Sequence, residues 1–170
     1  MATSEEVTLE PATRADDTLL SNLLELYIHD LSEIFGIKPG ADGRFGYDAL
    51  PLYWSQPETH FAYLIRNGGD VAGFGLVARG SPASDDPEVL DVNEFFVLRG
   101  YRRGGVARRA AFLLWDRTPA KWVVRVAEQN RGALPFWEGA IREYTRGAFG
   151  AKAHRGKTQT FRAFSFSNAL

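Results

Sequence analysis

Residues 102–107, Arg-Arg-Gly-Gly-Val-Ala, combine paired arginines with paired glycines in a pattern suited to binding a phosphate-bearing ligand. The segment lies between a strand predicted over 89–98 and a helix predicted to begin near Val106. The first backbone N–H groups of a helix have no intrahelical acceptors, and Gly104 and Gly105 let the backbone approach a ligand closely. Further positive charge is available within one loop and one helical turn, from Arg99, Arg102, Arg103, Arg108 and Arg109. The spacing therefore predicts a site for a diphosphate.

This segment also has competing interpretations. An arginine-rich turn is often simply solvated. Two nucleotide-binding alternatives lack their signature residues, because the sequence contains neither G-x-G-x-x-G nor a Gly-Lys-Ser/Thr end. Cysteine is absent, which excludes disulfides, thiolate metal sites and transfer through an enzyme thioester. His29, His60 and His154 are too far apart in sequence to form a metal-binding pair, so no metal is expected.

The elements that must position this segment follow from hydrophobic periodicity. Apolar residues at helical spacing predict helices over residues 19–35, 106–117 and 133–141. After a short apolar start at residues 7–9, runs of β-forming residues predict strands over 61–65, 71–78, 89–98 and 122–126, with two closing strands between 144 and 166. The helix after residues 102–107 joins two parallel strands as a crossover, with Leu113 expected on its packed face. The pattern predicts an α/β fold, in which a mixed, mostly antiparallel sheet of about seven strands carries helices on both faces.

Length and composition restrict the classes of function. With 170 residues and 45% hydrophobic content the chain can bury one core, so residues 1–170 are predicted to form a single domain. The net charge of -1 gives no global attraction to nucleic acid or to an anionic membrane. The first residues are polar and acidic, and no run of about 18 apolar residues occurs. We therefore expect a cytoplasmic protein that binds neither nucleic acid nor membrane.

Two segments within residues 89–141 match the pattern of a known family. Arg102, Gly105 and Ala107 match the motif Arg/Gln-x-x-Gly-x-Gly/Ala that follows a strand in that family. Many members carry an Asn after the next strand, then an Ala and a Phe-Tyr pair. The corresponding residues here are Asn130, Ala133, Phe136 and Trp137. On these residues the chain resembles the GCN5-related N-acetyltransferase (GNAT) family, which implies the acyl-CoA N-acyltransferase fold and acetyl-CoA as co-substrate.

The resemblance also implies which residues hold acetyl-CoA. Backbone groups of Phe96 and Val97 hold the pantetheine arm where two parallel strands separate, and the amides of residues 103–107 hold the pyrophosphate. Asn130 contacts the co-substrate near its thioester. Two aromatic residues of the following helix flank the arm, although such residues are also typical of core packing. The implied set is Phe96, Val97, Arg102, Arg103, Gly104, Gly105, Val106, Ala107, Asn130, Phe136 and Trp137.

Glu94 is the predicted general base. An alkyl ammonium, with a pKa of about 10.4, must lose a proton before it attacks a thioester. Glu94 lies within an aromatic and aliphatic stretch, where burial raises the pKa of a carboxyl group. The alternative is that it pairs with an arginine or points outward. A backbone N–H near Val97 is the expected donor to the oxyanion. Because Trp137 stands where many members carry a tyrosine general acid, Tyr144, Tyr101 and solvent are the candidate proton donors.

Residues 36–58 interleave glycine and proline with aromatic side chains, and a long irregular stretch of this kind is typical of a functional or mobile loop. We expect it to form part of the acceptor site, because aromatic rings and acidic side chains attract a cationic amine. The candidate acceptor-binding residues are Glu33, Tyr47, Asp48 and Trp54. The alternative is that the aromatic residues anchor the loop to the core while the acids are solvated.

Together these patterns predict an N-acetyltransferase that moves an acetyl group from acetyl-CoA directly to a primary amine on a small molecule or a peptide. Two other classes stay open at this stage. One is a non-catalytic acyl-CoA-binding or sensing domain, favoured by Trp137. The other is an RNA-binding module that uses the arginine cluster and nearby aromatic residues. The resemblance also leaves a homodimer open.

Overall fold

One seven-stranded sheet organises the protein in the computed structural model, which describes residues 5–170. Its strands are β1 (Val7–Pro11), β2 (His60–Asn67), β3 (Asp70–Arg79), β4 (Leu90–Val97), β5 (Lys121–Ala127), β6 (Gly150–Arg155) and β7 (Thr160–Ser167). The helices are α1 (Asp17–Phe35), α2 (Leu52–Ser55), α3 (Val106–Arg117) and α4 (Ala133–Thr145). The spatial order is β1-β2-β3-β4-β5-β7-β6, so the last strand in sequence lies between the two that precede it.

Strand pairing is antiparallel everywhere except between β4 and β5, which confirms the predicted mixed sheet and crossover. The parallel ladder is short. It pairs Leu90 with Trp122, Asp91 with Val123 and Val92 with Val124. After Val92 the two strands separate, and the second half of β4 has a backbone edge that no strand covers.

The separation begins at a β-bulge in β4. On β3, Leu76 pairs with Glu94 and Val77 pairs with Val92, so Asn93 is the extra residue. A bulge increases local twist and redirects the side chains that follow it. Just beyond the bulge, β3 and β4 approach so closely that a Cβ atom at Gly73 would lie 1.9 Å from the Phe96 carbonyl oxygen. The geometry of this half of β4 therefore requires glycine at position 73.

Helices cover both faces of the sheet, as predicted. On one face α1 packs Leu20 and Leu24 against Phe74 and Leu76 of β3. On the other face α3 and α4 pack a second group of residues against β5 and β7, among them Leu114, Trp115, Trp137, Ile141, Val124 and Phe164. Across residues 5–170, none of the helices has the length and apolarity needed to cross a membrane.

Two local expectations are wrong. Leu113 was expected on the packed face of α3 but is 37% exposed, because the buried stripe also takes in Ala111 and Trp115 and so turns away from Leu113. Tyr144 was placed in a closing strand but belongs to α4. That helix continues until Arg146 and Gly147 adopt positive φ, so the closing strands begin at Gly150.

Candidate active site

A cavity of about 890 Å³ lies where β4 and β5 separate, between α1, the end of β4, the start of α3 and the first turns of α4. Every residue predicted to hold the co-substrate lines this cavity except Gly104. The structure thus brings together Phe96, Val97, Arg102, Arg103, Gly105, Val106, Ala107, Asn130, Phe136 and Trp137. The α1 residues Tyr27 and Asp30 also line it and were missed in the sequence.

The backbone of β4 faces this cavity at Val97. The Leu98 N–H donates to the Ala72 carbonyl of β3 at 2.8 Å, so the Val97 carbonyl, on the opposite side of the same planar peptide, points toward the gap. Arg102 Nε donates to that carbonyl at 2.8 Å. In an extended strand a residue's N–H points to the same side as its C=O, so the Val97 N–H also faces the gap. This N–H is available to a carbonyl oxygen of a ligand.

The turn before α3 leaves its peptide groups accessible. Arg103 and Gly105 both have positive φ, of 71° and 76°, which turns the chain sharply into the helix. A Cβ atom at Gly104 or Gly105 would meet nothing within 4 Å, so the protein itself does not fill the space above these residues. The first N–H groups of α3 have no acceptors within the helix. An anion can therefore contact several amides here.

Asp30 holds two of the loop arginines. Its carboxylate is 2.7 Å from Arg99 and 2.7 Å from Arg102, through a different oxygen for each. Burial would raise the pKa of Asp30, but the hydrogen bonds from the two guanidinium groups outweigh it and leave this pKa below its ordinary value. The positive charge expected from the five arginines is therefore partly compensated. Asp30 neutralises part of that charge and fixes the side chains that carry it.

The other arginines of the cluster have distinct surroundings. Arg108 forms an ion pair with Glu143 of α4. Arg109 donates to the Gly104 carbonyl at 3.0 Å. Arg103 is exposed at the cavity and forms no ion pair with any residue in the range 5–170. The charge available to an anionic ligand is thus concentrated on Arg103 and on the backbone amides.

The start of α4 forms the opposite wall. Asn130 Oδ1 accepts a hydrogen bond from the Ala133 N–H at 3.3 Å, which leaves the side-chain amide nitrogen to face a ligand. Trp137 is buried, with ring centroids 5.1 Å from Phe95 and 6.2 Å from Trp115. Phe136 is partly buried against Trp137. The indole is therefore a packed apolar wall of the cavity.

Glu94 lies on the other side of β4 from this wall. Its carboxylate accepts hydrogen bonds from the Tyr27 hydroxyl at 2.6 Å and from the Tyr47 hydroxyl at 3.1 Å. Burial raises the pKa of Glu94, although both tyrosines oppose this shift. Glu94 itself does not line the cavity, but Tyr27 does. The alternative pairing of Glu94 with an arginine is not observed at hydrogen-bond distance within residues 5–170; its direct partners are the two tyrosines.

Neither tyrosine that the sequence left as a proton donor lies at the cavity. The Tyr144 hydroxyl donates to Asp116 at 2.8 Å and accepts from Asn168 at 3.1 Å, and its ring packs on Trp115. Tyr101 packs beside Val97 and Val106 and does not line the cavity. Among the described tyrosines, Tyr27 is the one in the cavity lining.

Residues 36–58 are fixed to α1 rather than detached from it. Glu25 of α1 accepts hydrogen bonds from the backbone N–H groups of Phe45 and Gly46, each at 2.8 Å, and these bonds are the main reason why the pKa of Glu25 is lowered. The segment continues into Tyr47, which reaches Glu94. Trp54 Nε1 donates to Asp17 at 2.6 Å.

The four candidate acceptor residues therefore have different environments. Tyr47 contacts Glu94, and Trp54 is partly buried and hydrogen-bonded to α1. Asp48 is exposed beside Tyr47. Glu33 is exposed near the end of α1, where its charge acts on Arg99. The structure does not bring Glu33 or Trp54 into contact with Glu94.

A polar network on this side of the sheet was also missed in the sequence. Asp91 is fully buried and lies 2.7 Å from Arg125 of β5. Arg125 reaches Asn93 at 3.4 Å, and the Asn93 amide donates to the Tyr53 hydroxyl at 3.2 Å. The Tyr53 and Tyr47 hydroxyls interact, which connects this network to Glu94. One oxygen of Asp91, Oδ1, is buried without a hydrogen-bond partner.

In the described part of the chain, no group of three or more His, Asp or Glu side chains is placed to hold a metal ion. The donors that converge here are hydroxyls, backbone amides and guanidinium groups. They suit an anionic organic ligand on one side of β4 and an amine on the other.

A family comparison agrees with this geometry. Residues 21–140 match the family model described as the acetyltransferase (GNAT) family. No curated protein sequence matches the chain. Among solved structures, an acetyltransferase from Thermus thermophilus is 16% identical, with a TM-score of 0.69 over 97% of this chain and 99% of that one.

Two further solved structures contain coenzyme A. An aminoglycoside acetyltransferase in complex with coenzyme A is 15% identical, with a TM-score of 0.68 and 95% of each chain covered. A spermidine N-acetyltransferase from Vibrio cholerae in complex with coenzyme A and spermine is 14% identical, with a TM-score of 0.64 and 95% of each chain covered. At these identities the likeness concerns the fold.

Proposed function

The chain belongs to the acetyltransferase (GNAT) family, whose members use acetyl-CoA as the co-substrate, and we propose that it transfers the acetyl group directly to a primary amine of a cationic small molecule or peptide. The observation that carries the proposal is the position of Glu94. This partly buried carboxylate is held by two tyrosines on one side of β4, while the other side of the strand faces a large cavity.

The cavity supports the assignment of acetyl-CoA to this side. The turn at residues 103–107 presents amides and an exposed arginine to the pyrophosphate, and Val97 presents a backbone N–H to the pantetheine arm or to the thioester carbonyl. Asn130, Phe136 and Trp137 form the opposite wall. Because the sequence contains no cysteine, no acyl-cysteine intermediate can form, which supports a direct transfer.

Glu94 is the proposed base for the acceptor. An amine arrives protonated, and a carboxyl group whose pKa burial has raised is a better proton acceptor than an ordinary glutamate. Tyr47 and Asp48 are proposed to border the amine, whereas Glu33 and Trp54 are proposed at the margin of the acceptor site. The Val97 N–H is proposed to stabilise the negative charge on the oxygen of the tetrahedral intermediate by a hydrogen bond.

The cationic character of the acceptor rests on two arguments. Glu94 and Asp48 give the acceptor side of β4 a negative character that favours a cation. The aminoglycoside and spermidine acetyltransferases of similar fold act on amines with several positive charges. The cytoplasmic location, the possible homodimer and the lack of nucleic-acid binding stay predictions.

A panel of amines tests the proposal. The purified protein is mixed with acetyl-CoA, a thiol reagent and one amine at a time, with polyamines, aminoglycosides, amino acids and amino-terminal peptides as classes. We expect thiol release with at least one polycationic amine, and Glu94→Gln should remove it while binding of acetyl-CoA persists. Thiol release that occurs equally without any amine would instead identify a hydrolase.

A further inference from the structure

Tyr27 is the one described residue that both lines the donor cavity and hydrogen-bonds to the proposed base. Its hydroxyl donates to Glu94 Oε2 at 2.6 Å. Its ring packs against Phe74 and Phe96, with centroids 5.7 and 5.6 Å away, so the hydroxyl is held in place. Tyr27 therefore borders the donor cavity and contacts the carboxylate on the acceptor side.

The departing thiolate has no other hydroxyl donor of this kind among the described tyrosines. Trp137 is packed between Phe95 and Trp115, and Tyr144 is bound to Asp116 and Asn168 outside the cavity. The acceptor nitrogen, however, releases a proton that another group must accept. An ammonium loses one proton before attack and a second once the new C–N bond has formed.

We propose that Tyr27 is the general acid, which protonates the departing CoA thiolate and is itself reprotonated by Glu94. This inference rests on the proposed amine acetylation. As the C–N bond forms, the nitrogen gives its second proton to Glu94. As the C–S bond breaks, the sulfur takes the Tyr27 hydroxyl proton, and the Glu94 carboxyl proton moves to the Tyr27 oxygen. Before attack, Glu94 takes the first proton from the ammonium and passes it to solvent, so the products are the amide, the CoA thiol and one released proton.

The charges around Tyr27 support this order of proton transfers. Burial, and then the neighbouring Glu94, raise the pKa of Tyr27 above its ordinary value, so the phenol keeps its proton while the site is at rest. The groups facing it are Glu94, Tyr47 and, one helical turn away at the cavity, Asp30. A phenol that passes a proton on at the moment it receives one does not need to exist as a free phenolate.

Tyr47 provides a matched control. It also donates to Glu94, at 3.1 Å through Oε1, but it does not line the cavity. Both Tyr27→Phe and Tyr47→Phe keep the aromatic ring and remove one hydrogen bond that lowers the pKa of Glu94. In both variants the acidic limb of the kcat/KM profile should therefore move to higher pH. Only Tyr27 is proposed to donate a proton to the sulfur of the departing thiolate.

The first measurement is the pKa of the CoA thiol in its complex with the protein. It is followed by thiolate ultraviolet absorbance, with the desulfo-CoA complex subtracted to remove the tyrosine signal. In the proposed relay the single Tyr27 hydroxyl proton turns from Glu94 to the sulfur and stabilises the thiolate, so Tyr27→Phe should raise this thiol pKa by about one unit. Tyr47→Phe should leave it at the wild-type value.

The second measurement is kcat with the active amine across pH. Tyr27→Phe should lower kcat by about 100-fold, and the loss should persist above the acidic limb, where Glu94 is ionised. An unchanged thiol pKa together with recovery of kcat above that limb would overturn the relay and leave Tyr27 as a residue that only tunes Glu94. Amine acetylation by the wild type, and its loss in Glu94→Gln, would still stand in that case. If Glu94→Gln were fully active, the relay would have no proton source and would fail with the base assignment.

Discussion

The two sides of β4 are built from different parts of the chain. On the side proposed to bind acetyl-CoA, the groups that face the cavity are mainly peptide N–H groups, at Val97 and in the turn before α3. On the acceptor side they are side chains, Glu94 with its tyrosines and the network from Asp91 to Tyr53. A site made of peptide groups binds the same molecule in many sequences, whereas a site made of side chains changes with each substitution. The co-substrate can therefore be inferred from the sequence more readily than the amine.

The largest expected effect is on the donor side. Gly105→Val should lower the affinity for acetyl-CoA by about 1000-fold, because its side chain fills the space next to the amides and two hydrogen bonds to a charged phosphate are lost. The positive φ of Gly105 adds backbone strain. Isothermal titration with acetyl-CoA measures the affinity, and thermal unfolding reports the strain.

Gly104→Ala is the control for this change. Gly104 lacks the positive φ of its neighbour, has open space around it and does not line the cavity. Gly104→Ala should therefore keep most of the affinity for acetyl-CoA. Equal losses in both variants would mean that the turn binds through its overall flexibility and not through close approach at Gly105.

The next effect concerns stability on the acceptor side. Arg125→Met should lower the free energy of unfolding by about 3 kcal/mol, because it leaves the fully buried Asp91 without its ion-pair partner. Chemical denaturation measures this loss. The double variant Asp91→Leu/Arg125→Met removes both charges and should recover most of the stability. If the double variant is as unstable as the single one, the network contributes through packing and not through paired charge.

Glu94→Gln should lower kcat by about 100-fold near neutral pH, with acetyl-CoA affinity unchanged. The difference from wild type should shrink as the pH approaches the pKa of the amine. In the wild type, activity should fall as the pH drops through the raised pKa of Glu94, since the protonated carboxyl group cannot act as a base. A pH–rate profile separates these effects, and a neutral-pH rate equal to wild type would assign the base elsewhere.

The smallest expected effect is on the loop that carries Tyr47. Glu25→Gln weakens the anchor to the Phe45 and Gly46 amides and should raise KM for the amine by about threefold, with acetyl-CoA affinity unchanged. A rise in the KM for acetyl-CoA instead would show that this loop serves both sides.

The predictability of the two sides from sequence differs for the same reason. Helices, strands and the crossover follow from local periodicity, and the turn at residues 102–107 carries its own signature of glycine and arginine. The contact of Tyr27 with Glu94 joins residues 67 positions apart, and no local pattern indicates it. Asp30 likewise contacts Arg99 and Arg102 only after α1 packs beside β4. The available signal for this contact in the sequence was a polar residue, Asp30, at helical spacing between apolar ones.

The insertion of β7 between β5 and β6 is another feature that periodicity does not encode. Both closing strands alternate well enough to be recognised as strands. Which of them pairs with β5 depends on the fit of Phe164 and Phe166 under α3 and α4, and thus on the folded core.

The short parallel ladder between β4 and β5 leaves a gap lined by peptide groups, which affects how far the surrounding sequence can diverge. Peptide groups are identical in every residue, so a lineage can replace most side chains around the gap without losing the contacts that the gap offers. The constraint falls instead on places where a side chain cannot fit, such as Gly73, whose Cβ atom would overlap the Phe96 carbonyl oxygen. Chains that share only 14 to 16% of their residues with this one can therefore retain its architecture.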